Sequence, residues 1–156
     1  MELLQIQGLS LMVIVVLMGA PGAGKSTWLK SNKEEPFHIA STQAIRVNRE
    51  IDRAAYMRAM QINAIKAAES GINLYCDGTH TIASHRMIWL NLAKRLGVES
   101  RLVCFQTSLE LLLKAQRERL YPAPWPVVIS HHKRLQRALV LCKEEGWDSI
   151  ETMVRR

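Results

Sequence analysis

The chain reads as an α/β protein: a parallel sheet of four or five strands flanked by helices. Three observations predict this. The uninterrupted apolar run LMVIVVL at 11–17 has the valine-rich character of a strand buried on both faces. Further short apolar runs follow it, separated by longer segments of helical periodicity. A glycine-rich turn directly after the first run opens one of those segments. Strands that alternate with helices are joined by crossovers, which leave helices on both faces of a parallel sheet.

Each element has its own warrant. The first strand covers 11–17, with 1–10 as an N-terminal appendage. The run is too short to span a bilayer and follows the acidic Glu2 instead of a basic segment, so it reads as neither membrane span nor signal. A helix runs over 25–31, and FHIAS at 37–41 is a second strand. Residues 42–70 form one or two helices, with Ala44, Ile45, Ala54, Ala55, Met57, Ile62 and Ile65 on recurring faces and Gly71 as the stop. INLYCD at 72–77 is a third strand, 84–96 a helix ended by Gly97, and RLVCFQ at 101–106 a fourth strand. Ser108 caps a helix over 108–120. YPAPWP at 121–126 is expected to stay outside any helix, because its three prolines lack donors and bias their neighbours to extended backbone. The last helix covers 127–145.

A length of 156 residues suits one domain, 1–156, and 48% apolar with 22% charged residues excludes a disordered chain. The net charge of +7 favours polyanionic partners, nucleic acid first. Cys76, Cys104 and Cys142 form no Cys-x-x-Cys pair and read as buried reduced thiols, which implies a reducing, cytoplasmic setting.

The chemistry starts from GAPGAGKS at 19–26, which satisfies G-x-x-x-x-G-K-[ST] between a strand and a helix. The glycines Gly19, Gly22 and Gly24, with Ala20 and Ala23, let successive amides converge on a phosphate. The helix that begins with Lys25, Ser26 and Thr27 adds its positive end. Lys25 reaches the β- and γ-phosphates and the Ser26 hydroxyl ligates Mg²⁺. The ligand is therefore ATP or another purine nucleoside triphosphate. Trp28 either packs against the sheet or stacks on a base. Ligands of such sheets sit beyond the carboxyl ends of the strands, so 19–26, 41–46 and 77–80 should share one site. The chain carries neither D-x-x-G nor N-K-x-D, which excludes a switch GTPase, and multi-strand motor ATPases are larger.

GAPGAGKSTW, STQAIR, YCDGTH followed by HR, and RER before a proline-rich stretch together resemble the kinase domain of phage-type 5′-polynucleotide kinases. The wider group of P-loop kinases around them includes zeta-toxin-like sugar-nucleotide kinases. The resemblance covers about 11–140 and implies a three-layer P-loop kinase fold. It also implies transfer of the γ-phosphoryl group of ATP to a hydroxyl, first of all a nucleic-acid 5′-hydroxyl. A small-molecule or nucleotide-sugar kinase is the alternative. The family's acceptor-binding arginine falls on Arg46, but its hydroxyl-contacting aspartate falls on Gln43. An amide can orient a hydroxyl but cannot take its proton. That leaves a slow kinase, a kinase using another carboxylate, or a nucleotide-binding module that has lost transfer. Asp77, at the end of the third strand, is the other carboxylate, as metal ligand, base or acceptor contact. Thr79, His80 and Arg86 match acceptor-side positions, although Thr79 and His80 could equally cap the next helix and Arg86 lie on the surface.

The same resemblance makes about 115–126 a lid, with Arg119 stabilising the transferred phosphoryl group and Arg117 beside the nucleotide. A second lid arginine falls on Ala115, a departure. Lys133, Arg134, Arg137 and Lys143 on the last helix form either a solvated face or a phosphate track. The adjacent His131 and His132 diverge on a helix and suggest no metal site.

Overall fold

The computed structural model describes residues 12–48 and 50–156, without the side chain of Arg46. The expected appendage at 1–10 lies outside the described residues.

Five strands, β1 (Val13–Met18), β2 (Phe37–Ser41), β3 (Asn73–Asp77), β4 (Glu99–Thr107) and β5 (Ser149–Arg155), form one sheet in the order β2-β3-β1-β4-β5. Every pairing is parallel. Six helices connect them: α1 (Lys25–Asn32), α2 (Gln43–Val47), α3 (Arg53–Glu69), α4 (Ala83–Leu96), α5 (Leu109–Arg117) and α6 (Trp125–Leu141). The crossovers take β1 to β2 at one edge and return to β4 on the other side, so the order reverses at β1. The crevice at such a reversal is where ligands bind in open parallel sheets.

The period of two along β1 builds the core on both faces. Ile14, Val16 and Met18 point to a cluster with Leu74, Leu102, Trp89, Leu90 and Leu135. Val13, Val15 and Leu17 point to another with Val103, Phe105, Leu29, Leu112 and Val128. Trp28 packs on the second cluster, edge-on to Phe105 at 6.2 Å between ring centroids. Cys76, Cys104 and Cys142 are buried and unbridged, and burial pushes the Cys104 thiol up to about 12. None of the described helices is long and apolar enough to cross a membrane.

The structure resolves one open expectation about the elements and changes others. The segment at 42–70 is two helices, separated by Asn48 and the turn before Asp52, whose side chain caps α3 by accepting from Ala55 N. The helix begun by Ser108 ends at Arg117 instead of 120, because Gln116 turns its side-chain carbonyl to the backbone N–H of Ala123 as the chain doubles back. The proline segment does enter a helix. Pro124 is the cap of α6 and Pro126 occupies its first turn, where no N–H is required. The same helix stops at Leu141, continued by a 3₁₀ turn over Cys142–Glu144. A strand that no sequence signal announced, β5, then pairs with β4 along the edge.

Candidate active site

The phosphate loop is held by three neighbours. Gly19 N donates to Thr79 O at 2.9 Å, which ties the loop to the segment after β3. Gln116 Nε2 donates to Pro21 O at 2.8 Å, which ties it to α5. Thr107 Oγ1 donates to Ala23 O at 3.1 Å, which ties it to the end of β4. Gly22, at φ +89°, is required here: a Cβ on it would lie 2.6 Å from Gln116 Nε2 and 3.0 Å from Ala115 Cβ. Gly24, at φ +102°, caps α1 without any side-chain bond, so the first-turn amides remain available to a ligand.

Lys25 is only 9% exposed, and its Nζ donates to Gly19 O at 2.6 Å and Ala20 O at 2.9 Å. The ammonium is thus fixed at the mouth of the loop by the loop's own carbonyls. Around it opens a cleft of about 360 Å³ lined by Gly22, Ala23, Gly24, Lys25, Ser26 and Thr27, with Ser41, Thr42, Gln43, Asp77, Gly78 and Thr79 on one side. Ala115, Glu118, Arg119 and Arg155 line the opposite side. A second hollow of about 220 Å³ shares Thr42, Asp77, Gly78 and Thr79 with the cleft and is otherwise largely apolar, with Met57, Met60, Ile88 and Trp89. Asp77 therefore borders both.

The expected residues separate into two groups. Gly22, Ala23, Gly24, Lys25, Ser26, Thr27, Gln43, Asp77, Thr79 and Arg119 all line the cleft. The side chain of Arg46 lies outside the described residues. Gly19 and Ala20 do not face the cleft: the Gly19 amide is spent on Thr79, and Ala20 is buried with its carbonyl on Lys25. Arg117 is exposed at the end of α5, away from the cleft lining.

Of the residues expected at the acceptor, Arg86 faces inward, whereas His80 lines the second hollow with Asp77 and Thr79. Arg86 is 1% exposed and makes a two-pronged ion pair with Glu145, Nε to Oε1 at 3.0 Å and Nη2 to Oε2 at 2.6 Å. Its Nη1 donates to His80 O at 2.9 Å. Burial would raise the Glu145 carboxyl, but donations from Arg86 and Trp147 outweigh it and hold the group below the usual range. His80 takes a positive φ of 49° and its ring reaches the carbonyl of Leu17 at the end of the central strand β1. Trp89 Nε1 donates to its Nε2 at 3.3 Å, so its Nδ1–H must donate to Leu17 O at 2.7 Å, which fixes the neutral tautomer. Burial and the charges of Lys25 and His85 pull His80 down to about 4, against its bond to Leu17. Both residues brace the segment after β3 that carries Thr79.

Sequence reasoning missed Gln116, Thr107 and Arg155. Neither of the first two carries a motif; each acts through a single carbonyl of the phosphate loop. Arg155 is the last residue of β5, and its Nη1 sits 3.2 Å from where a Cβ on Gly24 would stand. The family resemblance around RER was the signal for Arg119, but an arginine at the end of an unannounced strand offered none.

The comparisons with known proteins agree with this geometry. The family model AAA_33, an AAA domain, matches residues 14–141, and the chain belongs to that family. Among solved structures it is similar to a chain of the Pnkp1/Rnl/Hen1 RNA repair complex, with a TM-score of 0.69 and 19% identity, over 86% of this chain and 46% of that one. It is also similar to a chain of the PezAT chromosomal toxin-antitoxin system of Streptococcus pneumoniae, with a TM-score of 0.69 and 21% identity over 92% and 67%. A chain of the AvrRxo1-ORF1:AvrRxo1-ORF2 complex with ATP matches at a TM-score of 0.66 and 15% identity over 92% and 53%. This chain thus spans about half the length of the first and third. The shared fold is that of a P-loop kinase.

Two outcomes are expected. Glu145→Gln leaves the Arg86 charge buried without its partner and should cost about 3–5 kcal/mol in urea unfolding, whereas Arg86→Met with Glu145→Met should cost less than the sum of the single changes. His80 is neutral in the fold and protonates more readily in the unfolded chain. Its contribution is thus fully present above pH 6.5 and is lost as the pH falls toward about 4. Unfolding measured across that window should show a flatter pH dependence in His80→Gln.

Proposed function

We propose that this AAA_33 domain is an ATP-dependent phosphotransferase that moves the γ-phosphoryl group to a hydroxyl, with a nucleic-acid 5′-hydroxyl as the acceptor. The observation that carries the reading is the position of Asp77, which borders both the phosphate cleft and the second hollow. A protein that only held or hydrolysed a nucleotide would need no second chamber opening onto the same carboxylate.

The residues fit the substrate. Uncapped first-turn amides of α1, the Lys25 ammonium and the arginines Arg119 and Arg155 supply donors and positive charge around one cleft. They fit Mg²⁺ as well: Ser26 and Asp77 line the same cleft as the phosphate-binding donors and offer it oxygens. Mg²⁺ is held by one or two protein oxygens plus phosphate and water, and Ser26 and Asp77 would provide them. The ion supplies charge neutralisation between the phosphates.

In the proposed reaction the loop amides and Lys25 hold the β- and γ-phosphates, and Arg119 meets the charge that spreads over the transferring group. Asp77 and Thr79 orient the incoming hydroxyl from the second hollow, and the carboxylate receives its proton. Gln43, exposed at the cleft rim, contributes an amide where a carboxylate would be expected from the resemblance. Phosphoryl transfer passes through a loose transition state served mainly by positioning and electrostatics, so an amide at this place slows the reaction without abolishing it. The same residue favours the second reading, a nucleotide-binding module with impaired transfer.

Incubation with γ-labelled ATP and oligonucleotide, nucleoside or sugar acceptors tests the proposal. Label should pass to the 5′-hydroxyl oligonucleotide, and its absence from all such ends would overturn the acceptor. Asp77→Asn should lower kcat about 10²- to 10⁴-fold and, because the carboxylate would also serve Mg²⁺, raise the KM for ATP at limiting Mg²⁺. Gln43→Asp should raise kcat; a rise from an undetectable rate would establish the impaired-module reading instead.

A further inference from the structure

A groove of about 360 Å³ lies beside the cleft, between α6 and the start of α4. Lys133, Arg134 and Arg137 line it, with Ala138 and Leu141 from the same helix and Thr81 at its inner end. No acidic residue lines it. The three cations are exposed, and the ion pairs among the described residues, Arg86 with Glu145 and Arg101 with Glu99, involve none of them. Arg86 also borders the groove, but Glu145 already offsets its charge. Three uncompensated like charges face one concavity, an arrangement that repels itself until an anion enters.

The groove opens close to the catalytic cleft. Thr81 Oγ1 and His131 Nδ1 are 2.8 Å apart, which fastens the segment after β3 to α6. Thr79 lines the cleft and Thr81 the groove, and two residues of chain span at most about 7 Å. An extended, anionic ligand whose reacting end lies against Asp77 and Thr79 has only about that distance to cross before it meets the groove. The first turn of α4 adds no acidic residue and no side-chain cap at this end.

The shape of the charge selects the ligand class. Phosphates at regular spacing match cations on successive turns of a helix, and the lining holds no aromatic ring on which a base could stack. We infer that the groove holds the phosphodiester backbone of a single-stranded nucleic acid, gripping two or three phosphates without reading sequence. Taken with the proposed function, on which this part rests, that strand is the acceptor, with its 5′-hydroxyl in the cleft and its next phosphates along α6.

The test uses the full chain and a 3′-fluorescein-labelled, 5′-hydroxyl single-stranded oligonucleotide, followed by anisotropy from low to moderate salt. Each phosphate contact contributes about −0.7 to the slope of log K against log salt, so three exposed contacts predict a slope near −2 from this groove. The triple variant Lys133→Ala, Arg134→Ala, Arg137→Ala should lose that share. Its KM for an oligonucleotide acceptor should rise about tenfold or more, with the KM for ATP and for a mononucleoside acceptor unchanged. An unchanged slope and an unchanged oligonucleotide KM in a variant of wild-type melting temperature would overturn the groove while leaving the proposed transfer intact. A reduced slope in a protein that labels no 5′ end would uphold the groove as a nucleic-acid site and overturn the acceptor assignment.

Discussion

A phosphate loop works only if its amides stay aimed at one point before the ligand arrives, and an isolated glycine-rich turn would not hold that shape. Here the loop is suspended between three segments. Thr79 O receives its first amide, Gln116 takes the carbonyl of Pro21, and Thr107 takes that of Ala23. Lys25 closes the arrangement from within by gripping Gly19 O and Ala20 O. Each such bond contributes about 0.5–1.5 kcal/mol net, so together they rival a sizeable part of a domain's stability. Their chief effect is geometric: donors fixed in advance need no reorganisation when charge develops on a phosphate.

One of those supports is itself supported. Thr79 is placed by a segment whose next residue, His80, is locked by Leu17 O, by Trp89 and by the Arg86 guanidinium on its carbonyl. Arg86 in turn is anchored to Glu145, just beyond the 3₁₀ turn that ends α6. A buried ion pair adds little net stability compared with an apolar packing of the same volume, but it tolerates only one geometry. The path from Glu145 through Arg86 and His80 to Thr79 thus transmits the position of α6 to the mouth of the phosphate loop. Neutral His80 suits this path, since a cation there would face the Lys25 ammonium across the loop.

The sequence spoke clearly wherever a signal was local. LMVIVVL followed by GAPGAGKS announces strand, turn and helix within twenty residues, because burial on both faces and the phosphate turn each leave an unmistakable composition. The limits were also physical. An edge strand such as β5 exposes most of its side chains, so SIETMVR carries no apolar run to reveal it. Proline at 126 looked like a helix breaker because composition does not show whether a proline falls in the first turn or the middle. A motif position fixes where a backbone stands and leaves open where a side chain points. Arg86 occupies its expected place in the chain yet points into the fold, while Gln116 and Thr107 act on the loop from outside any motif.

The distribution of charge ties these observations to the proposed chemistry. Lys25, Arg119 and Arg155 come from three separated parts of the chain and border one cleft, whereas Lys133, Arg134 and Arg137 come from one helix and border the next. The first set suits a compact polyphosphate, which needs neutralisation from several directions. The second suits an extended polyanion, which needs it along a line. In the proposed transfer, with an amide at Gln43, the carboxylate chemistry would rest on Asp77, and the barrier would be lowered mainly by how well the two anions are brought together. In that scheme two like-charged substrates meet at one carboxylate only if the surrounding cations overcome their repulsion, and seven of the chain's 21 lysines and arginines, Arg86 among them, border the cleft or the neighbouring groove.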